Sequence, residues 1–300
     1  MRLKPVLIIF LVCPGILLSC SSHLTMEDLQ QQVTDRLAMQ KGVFAIAFKD
    51  LSTGETLLVN EQVSFHAAST MKTPVLIEIY KQAAAGKFSL ADSVTIKNEF
   101  KSIVDSSIYA LSSDDDSETG LYKRTGEKIT IHDLVYEMIT VSSNLATNML
   151  IELVDARNVT QTMRTLGAKD IQVLRGVEDN KAYEKGLSNT TTAYDLMLIF
   201  EKLANGEAAD SLASKAMIDI LLDQQFNEII PAQLPPRVKV AHKTGSITGV
   251  QHDSGIVLLP DGRKYVLVLL SKELEDTDAA VKAMADVSKM IYDRVMKQKQ

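Results

Sequence analysis

The positions of its strand-forming segments constrain this chain most. VKVAHKTG, DSGIVLLP and KYVLVLLS, near the C-terminus, are rich in β-branched residues. Pro260-Asp261-Gly262 joins the last two as a turn. The remaining segments of this kind, VFAIAFKD and ETLLVN, lie near the N-terminus and read as a hairpin across Leu51-Ser52-Thr53-Gly54. Between the two groups, from about Ser69 to Gly206, the pattern is mostly helical, with starts near Thr73, Ile131, Asn144, Val159 and Thr192. Thr25 with Asp28 three residues on marks an opening helix, carried by Leu29, Val33 and Leu37 and stopped by Gly42. A closing helix puts Val281, Met284, Val287, Met290 and Ile291 on one side. An α+β fold satisfies this order: five strands in one antiparallel sheet, the N- and C-terminal helices over one face, and the helical middle as a second lobe. The expected folded unit is 25–300, with an α/β lobe of 25–68 and 207–300 and a helical lobe of 69–206. A cleft between such lobes is where a site belongs.

The first 20 residues, MRLKPVLIIFLVCPGILLSC, stand apart. Arg2 and Lys4 precede an apolar run of secretory-signal length, too short and too early to be a membrane span. Leu17-Leu18-Ser19-Cys20 resembles a bacterial lipobox. The expectation is a signal peptide of 1–19, lipid on Cys20 and a polar tether over 20–24. The product would be exported and anchored in the envelope on the periplasmic side. Ser21 after the cysteine suggests the outer membrane in a cell that has one.

Loss of 1–19 removes two basic residues and no acid, taking the formal charge from −6 to −8. No basic stripe is present, so a nucleic-acid partner is not expected. The only cysteines are Cys13 and Cys20, which leaves none for a disulfide or a thiolate metal site in 25–300. The histidines, 23, 66, 132, 242 and 252, show no helical zinc spacing. Neither a metal nor a cofactor is expected.

FHAASTMKTPVLIEIY, from Phe65 to Tyr80, places Ser69 and Lys72 three apart at the head of a helical pattern. A chain of this length holds about one Ser-x-x-Lys by chance, so the context decides. Pro74 fits a first helical turn, which puts Ser69 at or near a helix N-terminus. Backbone N–H groups there can receive a developing oxyanion. Lys72, one turn on, can return to the serine oxygen and take its proton once burial or a second cation lowers its pKa. ITVSSNLATNML then offers Ser142 as a proton relay and Asn144 as an amide clamp at another helix start. VAHKTGSITG offers Lys243 as the second cation and Gly245 as room for substrate backbone against a strand. The N–H of Ser246 is a candidate second oxyanion donor.

Ser-x-x-Lys, Ser-Ser-Asn and Lys-Thr-Gly in this order resemble the motif trio of the class A serine β-lactamases, among the penicillin-recognising serine hydrolases. The resemblance covers roughly 24–298. It implies that Ser69 is acylated, that Lys72 belongs to its proton network, and that Ser142 relays a proton to the leaving nitrogen. It makes Asn144 a substrate clamp. It gives Lys243 and Thr244, helped by Ser246, to the substrate carboxylate, and the N–H groups of Ser69 and Ser246 to the oxyanion hole. The family also carries a deacylating glutamate on a loop. LRGVEDNKAYEKGLSNTTTAYDL matches that stretch and makes Glu178 the candidate base, with Arg175 as its partner and Glu184 as the other contender. The chain departs from the family pattern at Ser143, where Asp is usual. No proline follows Glu178, Ala182 stands where an Asn is usual, and Arg175 lies three residues before Glu178 instead of two. Most of these departures fall on the water-activating step.

Three functions follow. The first is opening of β-lactam rings, a small-molecule substrate class, through an acyl-enzyme. The second is a D-alanyl-D-alanine carboxypeptidase, peptidase or esterase using the same acylation. The third is a penicillin-binding lipoprotein with slow turnover. A Ser69–His–Asp triad through His66 or His242 is the competing chemistry. DSSIYALSSDDDSETG, from Asp105 to Gly120, reads as a solvated excursion, with a place at the border of the cleft as the alternative.

Overall fold

A computed structural model describes residues 25–297. The leader, Cys20 and the tether up to residue 24 lie outside the described residues. The main sheet has five strands: β1 (Val43–Asp50), β2 (Thr56–Val59), β3 (Lys239–Ile247), β4 (Val250–Leu258) and β5 (Lys264–Lys272). Their order is β2-β1-β5-β4-β3, and every pairing is antiparallel. The N-terminal hairpin therefore docks on the last strand, and β3 is left as an edge.

The eight longer helices are α1 (Met26–Ala38), α2 (Lys72–Ala84), α3 (Ile131–Thr140), α4 (Asn144–Val154), α5 (Ala156–Leu166), α6 (Ala193–Ala204), α7 (Ser211–Leu221) and α8 (Thr277–Lys297). Strand alternation sorts the core. Phe44, Ile46, Phe48, Tyr265, Leu267 and Leu269 face the layer of α1 and α8. Ala45, Ala47, Val266, Val268 and Leu270 face the helical side, where α6 crosses β1, β4 and β5. A sheet covered on both faces needs apolar residues at successive positions, which is why KYVLVLLS runs apolar without a break.

α2 is buried along almost its whole length, from Lys72 through Gln82, and is the axis of the helical side. Two helix boundaries differ from the sequence reading. α5 begins at Ala156, ahead of Val159, because the Asp155 side chain accepts from the Arg157 N–H at 2.9 Å and caps the turn. α7 lies beyond residue 206 and packs against α2, α3 and α6 through Met217, Ile220 and Leu221, so the helical side extends past that point.

Candidate active site

The site lies where β3, the head of α2 and the head of α4 converge. Ser69 sits in a 3-10 turn, Ala68–Met71, that runs straight into α2. β3 presses against this turn. A Cβ on Gly245 would stand 3.0 Å from the Ser69 nitrogen and 3.1 Å from the Thr70 nitrogen. The close approach that requires Gly245 is thus to the chain's own backbone, in addition to any substrate that lies along the edge strand.

Lys72 and Lys243 are both fully buried. They meet at one hydroxyl, Ser142 Oγ, each donating to it at 3.1 Å. Lys72 also donates to the Ser142 carbonyl at 2.6 Å and to Asn144 Oδ1 at 3.0 Å, and Lys243 to the Thr244 carbonyl at 3.0 Å. The ammonium groups therefore converge on the Ser142 hydroxyl, whereas the sequence reading brought Lys72 and its second cation to Ser69. Ser69, Ser142, Asn144, Thr244, Gly245 and Ser246 line a common cavity of ≈ 470 Å³. Burial drives the Lys72 pKa down to about 7, against the pull of the Asp116 and Glu178 charges. Burial, and then the Lys72 charge, hold Lys243 well below the ordinary ammonium range, with Asp253 opposing.

Asn144 joins this group to the loop that carries Glu178. Its amide N–H donates to Glu178 Oε1 at 3.1 Å while its oxygen receives Lys72. A donor-only lysine on one side and an acceptor on the other fix the orientation of the amide. Glu178 is half-buried, and desolvation raises its pKa. It lines a second cavity of ≈ 430 Å³ that shares Asn144 and Ser246 with the first. Glu184 lines neither cavity and is exposed. Ala68, Ser142 and Glu178 all have left-handed φ, at 44°, 60° and 60°. Strain of this kind persists only where the surroundings over-determine it.

The Glu178 loop is held from outside. Asn148 on α4 accepts from the Val177 N–H at 2.7 Å and donates to the Val177 carbonyl at 3.1 Å. A Cβ on the preceding Gly176 would collide with that Asn148 amide. Asp179 receives Ser102 Oγ at 2.8 Å and the Ile103 N–H at 2.9 Å. Arg175 does not pair with Glu178. Its guanidinium donates to the carbonyls of Leu187, at 2.9 Å, and Gly176, at 2.9 Å, closing the loop on itself.

A serine–histidine triad is not assembled. His66 Nδ1 accepts from the Ala68 N–H at 3.0 Å. His242 does pair with Asp253, at 2.8 Å, but its other nitrogen faces Asn227 at 3.3 Å. Burial lowers His252 to about 4, so its neutral ring donates from Nε2 to the His66 carbonyl at 2.9 Å and ties β4 to the segment before Ser69.

For the segment from Asp105 to Gly120 the structure takes the alternative over the solvated excursion, and sequence reasoning missed what its residues do there. It is a brace: Tyr109 contacts the Glu178 loop, Asp115 lines both cavities, and the buried Asp116 caps α4. Three consecutive acids ahead of a helix start were the available signal.

A family model described as the β-lactamase enzyme family matches residues 28–295. A β-lactamase of Bacteroides uniformis is 24% identical over 289 residues, spanning 89% of this chain and 91% of the relative. Among solved structures, a β-lactamase from Sphaerobacter thermophilus superposes with a TM-score of 0.77 at 27% identity, over 90% of this chain and 99% of that one. A mutant of PBP-A, solved as an acyl-enzyme complex with penicillin G, superposes with a TM-score of 0.77 at 27% identity, over 91% and 97%.

Proposed function

Since this chain belongs to the β-lactamase enzyme family, we propose that it hydrolyses β-lactam rings through an acyl-enzyme on Ser69. The single observation that carries this reading is the continuous chain of hydrogen bonds from Lys243 through Ser142, Lys72 and Asn144 to Glu178. It holds the residues of both halves of a hydrolysis in one network, with the Asn144 amide fixing Lys72 and Glu178 relative to each other.

Lys72, with its pKa near neutrality, takes the Ser69 hydroxyl proton as the oxygen attacks the lactam carbonyl carbon. The N–H groups of Ser69 and Ser246 receive the developing oxyanion. As the C–N bond breaks, Ser142 gives its proton to the leaving nitrogen and is resupplied from Lys72. Thr244 and Ser246, which line the cavity, hold the substrate carboxylate with the buried Lys243 behind them, and Asn144 holds an amide carbonyl. Glu178 then removes a proton from water, the water oxygen adds to the ester carbon, and Ser69 leaves with the proton that Glu178 took up, which restores the carboxylate and the hydroxyl together.

Slow turnover is the second reading, and one observation favours it. Four residues after Glu178 stands Ala182, buried and without a side-chain polar group to hold a water. The test is to mix the purified protein with a chromogenic cephalosporin and follow colour and intact mass together. Rapid colour with unmodified protein at the end supports hydrolysis. A persistent adduct supports slow turnover, and no adduct with no colour rejects acylation itself. On the sequence alone we also propose export and lipidation at Cys20. Palmitate labelling that survives Cys20→Ala would reject that.

A further inference from the structure

Asp116 comes from the acid-rich brace, yet it is only 9% exposed. Its two carboxylate oxygens receive the Asn144 N–H at 3.0 and 2.8 Å, and one of them also receives the Leu145 N–H at 3.0 Å. The Tyr122 hydroxyl donates to it at 2.9 Å. On the same turn Ser143 Oγ receives the Ala146 N–H at 3.2 Å. The unpaired N–H groups at the head of α4 are thus shared between two residues from separate segments. The motif that this turn resembles has an acid between its serine and its asparagine, and here that position is Ser143.

We propose that Asp116 supplies, from a different loop, the carboxylate that the Ser142-Ser143-Asn144 turn lacks, and is the positioning residue that sets Ser142 and Asn144 against Lys72. The inference rests on the acyl-enzyme reading of Ser69. The geometry argues for more than a helix cap. The residue whose backbone Asp116 grips, Asn144, is the one whose side chain joins Lys72 to Glu178. Its neighbour Ser142 sits at a φ of 60° and gives Lys72 both its carbonyl and its hydroxyl. A negative charge buried here also favours the Lys72 ammonium, alongside Glu178 and against Lys243, the other charged groups that face it.

The experiment measures the rate of covalent labelling by a fluorescent penicillin across pH, with unfolding midpoints for each variant. Asp116→Asn keeps the shape but turns one acceptor into a donor toward the helix N–H groups. Labelling should fall about 10²-fold, the loss typical of a misplaced catalytic group. The acid limb of the pH profile should move to lower pH, because Lys72 loses a charge that favours its protonated form. Ser143→Asp in that background should restore at least part of the rate, whereas Ser143→Asp alone should lower it, since two carboxylates then crowd one turn. Tyr122→Phe, which removes one donor and no charge, should lower labelling severalfold and provides the readout if Asp116→Asn fails to fold. An unlabelled wild type rejects the acyl-enzyme reading. A labelled wild type with an unshifted limb in Asp116→Asn, no rescue by Ser143→Asp and no loss in Tyr122→Phe rejects the role of Asp116.

Discussion

The two sides of this site are built differently. The acylating side hangs on regular elements: the 3-10 turn that opens α2, the head of α4, and the edge strand β3. Its two lysines are fully buried and share one hydroxyl. The water side is a loop, with Glu178 half-buried and its backbone held by side chains from elsewhere, chiefly Asn148 and Asp179. Regular elements fix geometry through many mutually supporting contacts. A loop held by a handful of side-chain-to-backbone bonds is easier to alter without unfolding the rest. That is where most of the departures from the family pattern fall.

The largest effect expected on the acylating side is that of Lys72→Met. Without a base the labelling rate should drop by about 10³- to 10⁴-fold. The same variant tests the burial. The folded protein holds Lys72 near a pKa of about 7, against 10.5 ordinarily, so between those values the unfolded chain binds a proton that the folded one has shed. Wild-type stability should therefore rise relative to Lys72→Met as pH climbs from 7 to 10.5, and stay level below 7. Parallel stability curves would show that this ammonium costs the fold nothing, and the contrast between the two sides would lose its basis.

Glu178→Gln should break the other half alone. Turnover should fall by about 10²- to 10³-fold while labelling keeps its wild-type rate, so that the adduct accumulates. In the wild type, desolvation raises the Glu178 pKa. As a base it must be ionised, so turnover should begin to fail on the acid side at a pH above the usual carboxylate range. Equal losses in labelling and turnover would mean that the two sides are one unit.

Legibility in the sequence follows the same division. The sheet was readable because five apolar runs could bury both faces only by pairing; the edge position of β3 was not, since the chain order leaves open which C-terminal strand the N-terminal hairpin joins. Ser69, Lys72, Ser142, Asn144 and Lys243 were readable because each sits at a fixed spacing from a helix or strand signal. The meeting point of the lysines was not, since it depends on a left-handed φ at Ser142 that no local signal marks. Asp116 was invisible for a different reason. A run of aspartates looks solvated until tertiary contact brings a helix N-terminus to it. Arg175 was misjudged because proximity in sequence to Glu178 says nothing about which carbonyls a guanidinium will find.

The smallest expected effect belongs to the brace. Tyr109 receives Asn148 Nδ2 at 3.3 Å and donates to the Val177 carbonyl at 3.3 Å, both long for hydrogen bonds. Its ring stays packed on Phe100 at 5.9 Å between centroids, so Tyr109→Phe removes the hydroxyl and little else. One such bond contributes about 1 kcal/mol net, and Asn148 keeps its own two bonds to Val177. Turnover should fall roughly threefold to fivefold, through a looser Glu178, with the labelling rate unchanged. A matching fall in labelling would place Tyr109 on the acylating side and move the boundary between the two halves from the loop into α4.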